Sequence, residues 1–158
     1  MSDPIVKLGE KIPAISFEMT DGKQHRFADF LGQQVILYFY PKDDTPGCTL
    51  EAKGFRDHLS EFTAKNTLII GVSKDNAKKH QQFREKYCLP FDLIMDTETT
   101  LCQLFGVLKE KSMFGKKYWG IDRSTFLIDA EGRLAKEWRH VNAIGHVKQV
   151  LAALEPAV

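Results

Sequence analysis

Cys48 closes the run Tyr38-Phe39-Tyr40-Pro41-Lys42-Asp43-Asp44-Thr45-Pro46-Gly47-Cys48. The chemistry open to it is nucleophilic attack by sulfur, which needs a thiolate rather than a thiol. The residues before it read as a helix start. Thr45 suits the N-cap, and Pro46 suits the first helical position, where a missing N–H is no loss. Cys48 then falls in the first turn, among unpaired backbone N–H groups and at the positive end of the helix dipole. Both favour a charged sulfur. The alternative is a small buried core residue, the usual fate of a free cysteine.

Two elements must hold that sulfur. Val35 to Tyr40 is an unbroken apolar and aromatic run that reads as a buried strand. Thr49 to Phe62 reads as a helix, with Cys48, Ala52, Phe55, Leu59 and Phe62 on one stripe. The sulfur therefore belongs at the end of a buried face.

Around this unit, Ala14 to Met19 and Gln24 to Phe27 form an N-terminal hairpin, and Ala28 to Leu31 form a helical turn ended by Gly32. Thr67 to Ser73 is a second buried strand. Asp75 or Asn76 caps a helix reaching Tyr87, and Phe91 to Asp96 is a third strand. Thr99 or Thr100 starts a brief helix through Phe105. Lys109 to Tyr118 is a basic loop or hairpin, Ser124 to Asp129 and Leu134 to Val141 are paired strands, and Ala143 to Leu154 closes with Ile144 and Val147 inward. Alternating strands and helices over residues 35–95 imply parallel strands, and the last hairpin adds antiparallel ones. The fold class is α/β, a mixed central sheet with helices on both faces. With no repeat or linker, residues 1–158 read as a single domain.

The composition narrows function. A formal net charge of +1 gives no field to attract nucleic acid or an acidic membrane. No apolar run approaches spanning length, and three cysteines in 158 residues make no disulfide framework. The expected setting is a reducing cytoplasm. The cysteines and His25, His58, His80, His140 and His146 show no metal-ligand spacing, so neither metal nor cofactor is expected.

Pro41 to Cys48 fits P-x-x-x-T-x-x-C. With FYPKDDTPGCTLEA, GFRD and GIDRSTFLID, the chain resembles the peroxiredoxins, in the peroxiredoxin Q or bacterioferritin-comigratory-protein branch. The likeness runs from about Gly9 to Leu154. It implies a thioredoxin-like fold and a thiol-dependent peroxidase reducing hydrogen peroxide and organic hydroperoxides. It implies Cys48 as the peroxidatic nucleophile beside Pro41, Thr45 and Arg123, with thioredoxin or another thiol as reductant. It also implies a monomer, with a dimer as the alternative.

Those positions suit the reaction. Arg123 would stabilise the sulfur and the departing oxygen, Thr45 Oγ1 would hold a peroxide oxygen, and Pro41 would shield the site. Taken without the likeness, an arginine before a strand is a solvated charge. Glu51 reads first as a contact with its own helix start and second as a partner for Arg123. Tyr40, Phe114, Tyr118 and Trp119 are either pocket lining or core.

Many relatives carry a second cysteine five residues after the first; here that position is Lys53. An external thiol then reduces Cys48 directly, in a one-cysteine scheme. Cys88 is the next candidate resolving cysteine, and Cys102, set among Leu101, Leu104 and Phe105, follows. A redox-sensing or thiol-disulfide exchange protein on the same fold is the alternative function. Exchange usually needs C-x-x-C, and this slot reads Thr45-Pro46-Gly47-Cys48.

Overall fold

Along the central strand, neighbouring side chains point to opposite sides and enter two different cores. Val35, Leu37 and Phe39 face one; Ile36, Tyr38 and Tyr40 face the other. This is the two-residue period of a strand buried on both faces. A computed structural model describes residues 3–154.

In chain order the elements are β1 (Ser16–Glu18), β2 (Gln24–Arg26), a 3-10 turn (Phe27–Phe30), β3 (Gln34–Phe39), α1 (Pro46–Asp57) and α2 (Leu59–Ala64). Then come β4 (Thr67–Ser73), α3 (Ala77–Tyr87), β5 (Leu93–Met95), α4 (Thr100–Phe105), β6 (Leu108–Met113) and β7 (Lys116–Ile121). The chain closes with β8 (Ser124–Ile128), β9 (Leu134–Trp138) and α5 (His146–Ala152). The main sheet has the order β5-β4-β3-β8-β9. β3, β4 and β5 are parallel, whereas β8 and β9 join antiparallel. The mixed sheet expected from the sequence is therefore present, as is the β1–β2 hairpin.

Helices α1, α2, α3 and α5 cover the Tyr38 face through Phe55, Phe62, Phe83 and Val150. Helix α4 covers the Phe39 face through Leu101, Leu104 and Phe105. Burying each of these aromatic rings contributes several kcal/mol, on the order of 3–5 lost on truncation to Ala. No helix among the described residues is long and apolar enough to cross a membrane.

Three details differ from the sequence reading, and a fourth settles one of its alternatives. The helix expected over 49–62 breaks at His58 (φ −105°, ψ 9°), whose ring bonds forward to Glu61 at 2.9 Å. Its apolar stripe continues across the break through Leu59 and Phe62. The third strand pairs only over Leu93–Met95; before it Asp92 accepts from the Thr20 hydroxyl, and after it the Asp96 carboxylate accepts from the Leu101 and Cys102 N–H groups at the start of α4. The closing helix starts at His146, after Gly145 at φ 76°, which leaves Ile144 77% exposed rather than inward. The basic segment is a full hairpin, β6–β7, turning on Phe114 (φ 52°) and Gly115 (φ 78°). Two left-handed residues match the twist of paired strands, and they leave the Phe114 ring 98% exposed.

Candidate active site

Strand β3 delivers the chain to the site, and α1 carries the sulfur. Thr45 is extended (φ −100°, ψ 156°) at the N-cap, and its carbonyl accepts from Thr49 N–H at 2.8 Å. Its hydroxyl does not cap the helix, as the sequence reading had it. It donates to the Lys42 carbonyl at 2.8 Å, which fixes the hydroxyl proton and leaves the oxygen lone pairs outward as acceptors. Pro46 takes the first helical position, and Cys48 lies in the first turn, 1% exposed. Between them, Gly47 is required by close approach: a Cβ there would sit 2.9 Å from Arg123 Nη2.

The loop between Tyr40 and Thr45 is pinned from beneath. Asp43 Oδ1 accepts from the Tyr40 hydroxyl at 2.6 Å, and Asp43 Oδ2 lies 2.6 Å from His80 Nδ1. The Asp43 N–H donates to Asp75 Oδ2 at 2.8 Å, and Ser73 Oγ donates to that same oxygen at 2.6 Å. His80 Nε2 faces the Ile94 carbonyl at 2.8 Å, and a carbonyl only accepts, so Nε2 carries a proton. Nδ1 then faces the Asp43 carboxylate oxygen across a buried 2.6 Å bond. Asp43, Asp75 and His80 have ligand atoms within 4.8 Å of one another, a grouping that sequence spacing does not show. These hydrogen bonds tie the three side chains to the Tyr40 hydroxyl, the Ser73 hydroxyl and the Ile94 carbonyl, which accounts for the cluster as a polar anchor.

Arg123 enters from the segment between β7 and β8. Nη2 lies 3.4 Å from Cys48 Sγ, and Nη1 donates to Glu51 Oε1 at 2.8 Å. Burial opposes the guanidinium charge, but Glu51 and Cys48 outweigh it and hold Arg123 above its usual range. Glu51 is fully buried one turn along α1 and bonds to Arg123 rather than to its own helix start. Burial pushes its carboxyl up from 4.5 to about 7, against the lowering effect of Arg123. Behind it, His146 Nε2 lies 4.0 Å from Glu51 Oε2 and 2.7 Å from Thr125 Oγ1. Burial, with Arg123 nearby, lowers the pKa of His146, which favours the neutral ring. The cation nearest the sulfur is thus a fixed guanidinium, held on its far side by a buried carboxyl.

A thiol in the first turn of a helix, with an arginine donor on it and a threonine oxygen before it, is an arrangement able to attack an electron-poor oxygen. Residues 8–137 match the AhpC/TSA family. The chain belongs to that family, in its peroxiredoxin Q or Bcp branch.

This peroxiredoxin is 47% identical over 149 residues to a putative peroxiredoxin bcp of Coxiella burnetii, covering 94% of this chain and 99% of that one. It is 48% identical over 150 residues to the peroxiredoxin Bcp of Bacillus subtilis, covering 95% and 96%. Among solved structures it is similar to the bacterioferritin comigratory protein of Xanthomonas campestris, studied for alkyl peroxide reduction, with TM-score 0.85, 40% identity and 96% of each chain. It is also similar to a cysteine-to-serine mutant of PrxQ from Xylella fastidiosa, with TM-score 0.88, 35% identity and 93% and 94% coverage. The thioredoxin-like fold implied by the motifs is the fold of these relatives.

All three cysteines of the peroxiredoxin are free. Cys88 is exposed at the end of α3 in a left-handed conformation (φ 51°), and its neighbour Tyr87 touches α1: the Tyr87 carbonyl accepts from Arg56 at 2.7 Å. Lys53 Nζ lies 6.0 Å from the Tyr87 ring centroid, so the position of the missing helical cysteine faces the end of α3. Cys102 is sealed in the core on the buried face of α4, where burial and the Asp96 carboxylate push its thiol far up. Of the aromatic candidates, Tyr40 is buried beneath the loop, whereas Phe114, Tyr118 and Trp119 are exposed on the β6–β7 hairpin. Tyr118 and Pro41 line the same cleft.

The residues that sequence reasoning missed are Asp43, Asp75, His80, Thr125 and His146. They come from separate elements, and no local pattern marks them.

Proposed function

We propose that Cys48 is the peroxidatic nucleophile of this thiol-dependent peroxidase and that Arg123, Thr45 and Pro41 complete its site. The observation that carries the reading is the 3.4 Å approach of Arg123 Nη2 to Cys48 Sγ at the first turn of α1. A guanidinium there lowers the energy of negative charge on sulfur and, as the reaction proceeds, of charge on the departing oxygen.

The reaction starts when the Cys48 thiolate attacks one peroxide oxygen. A sulfur–oxygen bond forms as the oxygen–oxygen bond breaks. The other oxygen leaves as an alkoxide or hydroxide, takes up a proton and departs as an alcohol or water. Because the Thr45 proton is committed to the Lys42 carbonyl, Thr45 Oγ1 accepts the peroxide O–H, orienting the peroxide for in-line attack. Arg123 donates to the leaving oxygen, and Pro41 keeps water from the sulfur. The product is a Cys48 sulfenic acid.

An external thiol returns the enzyme to its starting state in the one-cysteine scheme. The residue five positions beyond Cys48 is Lys53, Cys102 is sealed in the core, and Cys88 lies at the exposed end of α3. The family uses peroxides and thiol reductants generally; thioredoxin or another thiol is the reductant proposed for this chain, acting on a monomer, with a dimer as the alternative, of one domain over residues 1–158 in the cytoplasm. The test is peroxide consumption by wild type and Cys48→Ser with thioredoxin and its reductase. Consumption by wild type alone supports the reading. Equal consumption by both proteins overturns it.

A further inference from the structure

Beside the active-site loop lies a cleft of about 490 Å³ whose walls include Pro41 and Ile121 and four lysines: Lys42, Lys74, Lys79 and Lys111. Among the described residues lining it, the one carboxylate, Asp75, turns Oδ2 inward to the Asp43 N–H and the Ser73 hydroxyl. None of the four lysines makes an ion pair among the described residues, whereas the nearby Lys86 and Lys109 pair with Asp44 and Asp122. Two of them are fixed in place. Lys74 Nζ donates to the Trp119 carbonyl at 2.9 Å and Lys111 Nζ to the Ile121 carbonyl at 2.7 Å. Each keeps two further donors for a ligand. Burial first, then Lys109 and Arg123, disfavour the charge on Lys111 and outweigh Asp122 and Cys48, which favour it, so an anion entering the cleft adds to the favourable side.

The cleft borders the active-site loop through Pro41 and Lys42, which line it, and Ile121 in its wall is two residues before Arg123. Hydrogen peroxide is small and neutral and has no use for four ammonium groups. A cleft of this volume fits a small organic molecule. We propose that it binds the carboxylates of a small anionic thiol, such as a short acidic peptide thiol, and aims its sulfur at the oxidised Cys48. This rests on the peroxidase reading above.

The step balances without further reagents. The bound thiolate attacks the Cys48 sulfenic sulfur, forming a sulfur–sulfur bond while hydroxide leaves, takes a proton and departs as water. A second thiol attacks the mixed disulfide at the small-thiol sulfur. It releases a small disulfide and returns the Cys48 thiolate. Two thiols are oxidised and one peroxide is reduced.

The test compares glutathione with its diethyl ester, which carries the same thiol without the carboxylates. Wild-type protein is first oxidised with one equivalent of hydrogen peroxide, and the sulfenic acid is confirmed by dione trapping and mass spectrometry. Absence of a sulfenic acid would defeat the peroxidase reading itself. With it formed, glutathione is expected to reduce Cys48 about ten-fold faster than the diester, a gap that closes at high salt. Lys74→Gln and the exposed Lys79→Gln, tested separately, are each expected to shrink the ratio of the two rates. Using a ratio removes any general loss of activity. Equal rates for the two thiols in wild type, or a ratio unmoved in both variants, overturns the proposal while leaving the peroxidase reading intact.

Discussion

Glu51 Oε1 accepts a 2.8 Å hydrogen bond from Arg123 Nη1 at a point where Glu51 has no solvent exposure. The bond fixes the guanidinium so that its other nitrogen faces Cys48. Burial raises the Glu51 carboxyl from 4.5 to about 7, so the folded state holds its proton more tightly than the unfolded state does. The stabilisation is complete below about pH 4.5 and is lost as pH rises through about 7. Glu51→Gln removes this titration. The stability of wild type relative to that variant should fall by about 3 kcal/mol between these limits. Urea midpoints measured across the range check it; a flat difference would remove Glu51 as the titrating group.

Thr45 holds its hydroxyl proton on the Lys42 carbonyl, which leaves its oxygen as a peroxide acceptor. Thr45→Val keeps the shape and loses that acceptor, so kcat/KM for hydrogen peroxide should fall about a hundred-fold. Thr45→Ser retains the hydroxyl and should stay within about three-fold. Equal activity of the two variants, with matching unfolding midpoints, contradicts the role.

Asp43 and His80 tie the active-site loop to α3 through a 2.6 Å buried bond. Asp43→Ala leaves the imidazole without its partner and also strands the Tyr40 hydroxyl. A loss of about 3 kcal/mol is expected, while Asp43→Asn, which keeps an acceptor, should lose less. Denaturant unfolding measures both. Equal losses would show that packing, not the polar anchor, holds the loop.

Cys88 sits in a left-handed conformation that any side chain with a Cβ disfavours. Cys88→Gly should therefore be about 1 kcal/mol more stable than Cys88→Ala. Both should keep most peroxide turnover with an external thiol, because the one-cysteine scheme does not use Cys88. Loss of turnover in both, with a Cys48–Cys88 peptide in the oxidised wild type, would make Cys88 the resolving residue.

The strand, the loop and the sulfur at a helix start are local features, and the residues from Val35 to Phe62 display them. Thr45, Pro46 and Cys48 adopt their helix-start positions because cap and first-turn preferences act within a few residues. The rest depended on contacts distant in sequence. Glu51 looks like a helix-start acid until Arg123, brought in by β8, claims its oxygen. Asp43 looks like a loop residue until α3 supplies His80. Phe114 looks like pocket or core, but the hairpin turn aims it into solvent. The break at His58 leaves no mark in the sequence because the apolar stripe runs through it unchanged.

The central claim is that the sulfur of Cys48, under Arg123, is the atom that meets the peroxide. Rapid mixing with a sub-stoichiometric amount of hydrogen peroxide, quenched in milliseconds and read by peptide mass spectrometry, tests it directly. The account predicts one added oxygen on the Cys48 peptide, formed at least about a thousand-fold faster than any oxidation of the exposed Cys88. Oxidation of Cys88 first, or of both at similar rates, would contradict it.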